Sequence, residues 1–311
     1  MTARSREPEG PTFVTHRGSV DAWECDENQH LNVRFYVAKA HEGLPFLLAE
    51  SGWPPSSLQA MGARPRVLGQ HLRFLREARV AAPLTVYAGI AAARERQLTL
   101  YEEVRHSLTQ EVMATLVTEL ALVGPGGEPR VLAPSAAAPR CGIPPHGAPR
   151  GVPAAEPVLR PDRAAVAGLG FVEIGRGTVA ASECDGYGEL ELFRYIGRVA
   201  DSVVNLMTHF QTPDELARRS HGVEGGALIE LRIAYHAPLR AGSPFTVHSG
   251  IRAVERKVQR FVHLVYEEPA GACAASFDAV AVAMDLRARK AVELPVARRR
   301  RMEARLIRLP G

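Results

Sequence analysis

The chain has few cysteines, only two tryptophans and no long apolar run. Its four cysteines, Cys25, Cys141, Cys184 and Cys273, form no CxxC pattern. That excludes the common zinc and dithiol redox motifs. No apolar stretch approaches the roughly 18 residues that a membrane helix needs, so no membrane role is expected. Residues 1–11 are polar and lack the apolar region of a signal peptide. With thiols in no disulfide-like pattern, the expectation is a cytoplasmic protein. Charge of one sign is also scarce. The 38 basic and 34 acidic residues leave a net charge of +4, too small an excess to argue for nucleic acid. The basic excess is local, with four consecutive Arg at 298–301.

What is present suffices for a sizeable core. Apolar residues make up 46% and charged residues 23% of 311, a length that suggests about two domains. Residues 12–23 alternate as a strand does. Residues 33–50 carry Phe35, Val37, Leu44, Phe46 and Leu47 at helical spacing, with Pro45 expected to kink or divide that helix. Four strand-like runs follow, at 67–75, 84–91, 97–106 and 112–123. The stretch 124–167 breaks the pattern with ten prolines. Its composition marks a linker, expected to lie partly against the surface.

After the linker the first pattern returns. Setting residues 17–36 against 176–195, a shift of 159, aligns nine identities in twenty without a gap: Arg17, Gly18, Val20, Ala22, Glu24, Cys25, Asp26, Leu31 and Tyr36 recur as Arg176, Gly177, Val179, Ala181, Glu183, Cys184, Asp185, Leu190 and Tyr195. A helix-like segment, 192–210, comes next, then strand-like runs at 228–236, 245–254, 258–266 and 274–284. The later parts align at a shift of 161, which pairs Pro83 with Pro244 and Gly89 with Gly250. Two copies are too few for a solenoid. The reading is two similar domains, 12–123 and 168–311, joined by the linker 124–167, with a basic helix near residues 294–308. A helix early in a run of about five antiparallel strands is an α+β layout. An apolar helix of this kind should be wrapped by its sheet.

The stretch 24–32 gathers a carboxylate (Asp26), an amide (Asn28), an imidazole (His30) and a second amide (Asn32) at every second position, just before the first helix. One of them would serve as a cap; four different groups exceed that need. The chain here resembles the D-x-N-x-H-x-N-N…Y signature of acyl-thioesterases, found in acyl-carrier-protein thioesterases and in relatives of 4-hydroxybenzoyl-CoA thioesterase. Tyr36 stands at the tyrosine position, and Val33 stands where that family usually has a second Asn. The resemblance implies two tandem hot-dog domains, each a curled antiparallel sheet wrapped around a central helix. It also implies an acyl-CoA or acyl-carrier-protein substrate, and further assembly into a homo-oligomer.

Thioester hydrolysis requires a base or nucleophile and donors for the developing oxyanion. Asp26 suits the first role. Asn28 can orient water or the carbonyl, and His30 can move a proton or hold the geometry. The N-terminus of the following helix polarises the carbonyl, so no metal and no cofactor is needed beyond the coenzyme A or phosphopantetheine of the substrate. Asn32 reads as a helix cap that could also touch substrate. Cys25 reads as packing, because Cys184 persists in the second copy where Glu189 replaces the histidine. A calcium loop fails for want of Gly at the sixth position. The second copy, with Asp185, Tyr187, Glu189 and Glu191, is either a degenerate half or a second site using Asp185, Glu189 and Tyr187. Arg96, Arg256 and Lys257, with Arg94, Arg260 and the arginine run, are candidates to clasp the phosphates of coenzyme A. Two other functions are in view. One is a hot-dog hydratase or dehydratase, disfavoured because Asp26 and His30 are four rather than five apart with no Pro between. The other is a non-catalytic acyl-CoA-binding protein.

Overall fold

The computed structural model describes residues 9–153 and 158–308; residues 154–157 of the proline-rich stretch, and residues 1–8 of the polar N-terminus, lie outside them. The chain divides into two compact units, Met1–Arg150 and Gly151–Gly311.

The first unit runs β1 (Phe13–Ser19), α1 (Val33–Glu50), a short α2 (Pro55–Ala60), then β2 (Arg64–Phe74), β3 (Pro83–Arg94), β4 (Gln97–His106) and β5 (Val112–Val123). The strands pair antiparallel in the order β1-β3-β4-β5-β2. Asn32 starts α1: its side-chain oxygen accepts a hydrogen bond from Arg34 N at 3.2 Å. The helix ends at Gly52, whose φ of 102° is the left-handed conformation that glycine adopts without steric cost. Pro45 does not divide it. The helix is continuous from Val33 to Glu50, with Pro45 on its exposed side. Only the one N–H that proline lacks is missing there, and tertiary packing of the opposite face carries the helix through.

That opposite face is Val37, Ala40, Leu47 and Leu48, all fully buried. The strand register shows what it packs on. Ala88, Glu102, Leu116 and Leu72 lie in one row across β3, β4, β5 and β2. With Val86, Ile90, Leu98, Leu100, Val104 and Leu120 they make an apolar layer beneath α1. Each such side chain contributes roughly 1.5–3 kcal/mol when fully buried. One polar line runs through the layer. Thr118 donates to Glu102 at 2.8 Å, Gln70 donates to Thr118 at 3.2 Å, and Gln70 Nε2 lies 3.3 Å from His41 Nε2 on α1. Burial pushes the Glu102 carboxyl up to about 7 and holds His41 down at about 4. Gly43 lets α1 approach β1, since a Cβ there would stand 2.6 Å from Thr15 Oγ1.

The stretch after β5 folds onto the same unit. Ile90 N donates to Pro139 O, and residues 90 and 140 form a parallel bridge. On the face away from α1, buried Glu103 accepts from Tyr101 Oη at 2.8 Å and from Arg105 Nε at 2.7 Å, while His146 Nε2 lies 2.8 Å away. Gly147 fits against the Tyr101 ring, which leaves no room for a side chain.

The second unit repeats the first: β6 (Val172–Thr178), α3 (Leu192–Met207), a short α4 (Pro213–Ser220), β7 (Glu224–Tyr235), β8 (Pro244–Val254), β9 (Val258–Glu267), β10 (Ala272–Asp285), β11 (Lys290–Val292) and α5 (Val296–Glu303). Its sheet order is β6-β8-β9-β10-β7, with β11 on β10. The starts of β6 and α3 fall 159 residues after those of β1 and α1, and β8 and β9 begin 161 after β3 and β4. The residue-level detail repeats as well. Ile251 bridges Leu306 as Ile90 bridges Arg140, so the C-terminal strap takes the place that residues 139–141 take in the first unit. The basic helix is α5. Arg298 is buried and donates to Glu215 and Glu224, and Arg301 donates to Glu215 and to Phe210 O. Two arginines of the four-residue run therefore hold α5 to its own unit. Among the described residues, no helix is long and apolar enough to cross a membrane.

Candidate active site

Between β1 and α1 the chain makes a 3₁₀ turn at Ala22–Glu24 and then a closed loop. A bridge between Cys25 and Leu31 shuts the loop, and inside it Asp26 N donates to His30 O at 3.0 Å. Gln29 makes the reversal with φ 63°. Asn32 N donates to Glu24 O at 2.9 Å, which joins the two ends of the loop at the start of α1.

The sequence pattern groups Asp26, Asn28 and His30; the fold sets the Asp26 carboxylate beside the His30 ring and the backbone N–H of Asn28. Asp26 Oδ1 accepts from Asn28 N at 2.9 Å, and its Oδ2 lies 3.4 Å from His30 Nδ1. Asn28 is buried; Asp26 and His30 are half-buried. Burial raises the Asp26 carboxyl above the ordinary carboxylate value, a shift partly offset by His30 and by the Asn28 N–H. The site thus holds a carboxylate of enhanced basicity beside an imidazole, at the positive end of an 18-residue helix. Cys25 is next door, but burial and the charges of Asp26 and Glu24 push its thiol up, away from the thiolate a nucleophile requires.

Two neighbours were not singled out from sequence. Residues 76–81 lie along the loop: Leu31 N donates to Ala78 O at 2.7 Å, Tyr36 Oη to Arg76 O at 3.5 Å, and Ala81 N to Val20 O at 2.8 Å. Lys39 is the other. It is buried, with Nζ 2.9 Å from Glu24 Oε1 and 3.0 Å from Ser19 O. A signal for it existed, because a basic residue recurs at position 198 under the 159 shift.

The second loop keeps the frame with other chemistry. Cys184 bridges Leu190, and Asp185 Oδ1 accepts from Tyr187 N at 2.8 Å and Glu189 N at 3.0 Å. Asp185 and Tyr187 are exposed. Glu189, at the position of His30, is buried and ion-paired with Arg240 at 2.9 Å. Of the phosphate-clasp candidates, Arg96 is in the turn after β3, with Glu95 at 3.7 Å. Asn32 and the Asp26 loop adjoin the other end of that strand, where Pro83 pairs with Ser19. Twelve residues of strand put roughly 35 Å between the two ends. Arg256 and Lys257 hold the matching turn after β8, with Arg256 3.4 Å from Glu293. Among the described residues, no three His, Cys, Asp or Glu side chains converge as metal ligands.

A helix-bearing antiparallel sheet, made twice with a polar loop at the start of each long helix, is the architecture of the two-repeat hot-dog thioesterases. The chain belongs to the thioesterase-like superfamily, whose family model matches residues 20–140 and again 179–302. Three solved structures carry the fold at low identity. A protein described as an oleoyl thioesterase from Lactobacillus plantarum is 12% identical, with a TM-score of 0.66, covering 88% of this chain and 96% of its own. An acyl-ACP thioesterase from Bacteroides thetaiotaomicron is 13% identical, TM-score 0.64, with coverages of 86% and 96%. The 12:0-ACP thioesterase from Umbellularia californica is 11% identical, TM-score 0.62, with coverages of 86% and 93%. At these identities the likeness establishes the fold. No curated protein matches the sequence significantly.

Proposed function

We propose that the protein hydrolyses an acyl thioester, of coenzyme A or of an acyl carrier protein, to the free acid and thiol, and that the first unit carries the reaction. The observation that supports this most is the Asp26 carboxylate held by Asn28 N and His30 at the start of α1. Asp26 acts as general base. It takes a proton from water as the oxygen adds to the thioester carbon, and the first turn of α1 stabilises the oxyanion. The intermediate collapses with cleavage of the C–S bond, and the thiolate leaves with the proton that Asp26 or His30 returns. A base is favoured over a nucleophile because both Asp26 oxygens are engaged within the loop and burial raises the proton affinity of the carboxylate. The second loop serves no hydrolysis, since Glu189 replaces the histidine and is committed to Arg240. The polar N-terminus and the cysteine pattern favour a cytoplasmic protein, and the resemblance of the Asp26 stretch to the thioesterase signature favours a homo-oligomer.

The test is release of free thiol from a panel of short, long, aromatic and cationic acyl-CoAs and from acyl carrier protein. Asp26→Asn is expected to abolish release and Asp185→Asn to leave it. Full activity of Asp26→Asn, or no release from any substrate, would overturn the reading. Single turnover in ¹⁸O-water separates base from nucleophile. A base delivers the label to the first acid formed and leaves Asp26 unlabelled; a nucleophile whose anhydride opens at the Asp26 carbon releases an unlabelled acid and leaves the label in Asp26.

A further inference from the structure

We infer that Lys39 is a positioning residue for the Asp26 loop: its buried ammonium clamps the neck of that loop to α1. The inference rests on the hydrolytic reading of the loop given above. Lys39 sits seven residues, about two turns, beyond the Asn32 cap. Its Nζ reaches out of the helix to Ser19 O at the end of β1 and to Glu24 Oε1 in the turn. The other oxygen of Glu24 accepts from Asp21 N at 3.0 Å, and the Glu24 carbonyl accepts from Asn32 N at 2.9 Å. One cation thus ties strand end, turn and helix together at the point where the loop leaves and returns. Asp26 is two residues from that point. A loop held only by its own short bonds would let the carboxylate wander relative to the helix N-terminus, and displacement of about 1 Å costs catalysis on the order of a hundred-fold.

The second unit repeats the clamp with a different cation. Arg198 donates to Glu183 at 2.5 Å, Ala180 N donates to Glu183 Oε2 at 2.9 Å, and Glu191 N donates to Glu183 O at 3.1 Å. The duplication supplies both a rescue and a control. Lys39→Arg recreates a pair that the fold already accepts. Arg198→Met breaks the same clamp where no hydrolysis is assigned.

The experiment compares Lys39→Met, Lys39→Arg, Arg198→Met and the charge-neutral double variant Glu24→Gln/Lys39→Met. Two things are read: steady-state thioester hydrolysis, and amide hydrogen exchange of residues 24–32 and 183–191. Lys39→Met is expected to lower kcat by about ten- to a hundred-fold with KM within about two-fold, and to speed exchange at 24–32 alone. Lys39→Arg should restore both. Arg198→Met should speed exchange at 183–191 and leave kcat unchanged. The double variant keeps a folded core without the buried charge and should show the same kcat loss. The inference is overturned if Lys39→Met keeps wild-type kcat or unchanged exchange at 24–32, or if Arg198→Met lowers kcat equally. A wild-type protein without hydrolysis would instead defeat the functional reading, while exchange still reports whether the clamp exists.

Discussion

Glu102 offers a quantitative check on how the first unit is built. It is fully buried in the apolar layer beneath α1, and its hydrogen bond from Thr118 only partly offsets the loss of water. Its proton is held up to about pH 7 in the folded protein, against an ordinary value of 4.5. Between these two values the native state binds more protons than the unfolded chain, so stability falls as pH rises and the full cost is present above about pH 7. Each tenfold difference in proton affinity is worth about 1.4 kcal/mol, which makes the total about 3 kcal/mol. That is a large share of the 5–15 kcal/mol typical of a domain. Glu102→Gln keeps the shape and an acceptor for Thr118 but cannot ionise. Both tryptophans, Trp23 and Trp53, lie in the first unit, so their fluorescence in urea reports its unfolding. Glu102→Gln is expected to gain stability over the wild type by up to about 3 kcal/mol as pH goes from about 5 to 8.5. Subtracting the variant removes the contributions of His41 and Asp26. A wild-type-minus-variant difference that stays flat across that range would refute the burial argument.

Three further outcomes follow from particular contacts. Because burial raises Asp26 and His30 lowers it, activity should fall on the acid side at a pH above the ordinary 3.8, and His30→Gln should move that limb to higher pH; a limb that moves lower contradicts the pairing. Gly43→Ala would ordinarily stabilise a helix by about 1 kcal/mol. Here the new methyl meets Thr15 Oγ1 at 2.6 Å and the Thr15 carbonyl carbon at 3.1 Å, so urea titration should show a loss of about 1–3 kcal/mol instead. Arg298→Met removes the buried guanidinium between Glu215 and Glu224, which keep Arg301 and Arg218, and thermal unfolding of the second unit should show a loss of about 1–3 kcal/mol.

Much of this protein could be read in its sequence, for physical reasons. Strand and helix periods are local, so β4 and β5 fall at the expected residues, and α1 begins where Asn32 caps it. The duplication was visible because the Glu-Cys-Asp frame is a backbone device, a turn and a closed loop, that both halves must build alike. The grouping of Asp26 with His30 was legible because both lie in one short loop, closed by the bridge of Cys25 to Leu31. What tertiary structure alone decided involves partners distant in sequence. Pro45 was expected to kink or divide α1, yet the helix runs on, since its buried face packs on β3 and β4. The polar line from Glu102 to His41 joins four elements and leaves no pattern in any of them. Lys39 was not singled out in the sequence; the fold brings it against Glu24, fifteen residues away, and Ser19, twenty away. In the sequence, the stretch around Asp26 is a row of polar groups ahead of a helix. In the fold it is a carboxylate whose proton affinity is set by burial and by His30, on a loop whose neck is tied to that helix by a buried cation.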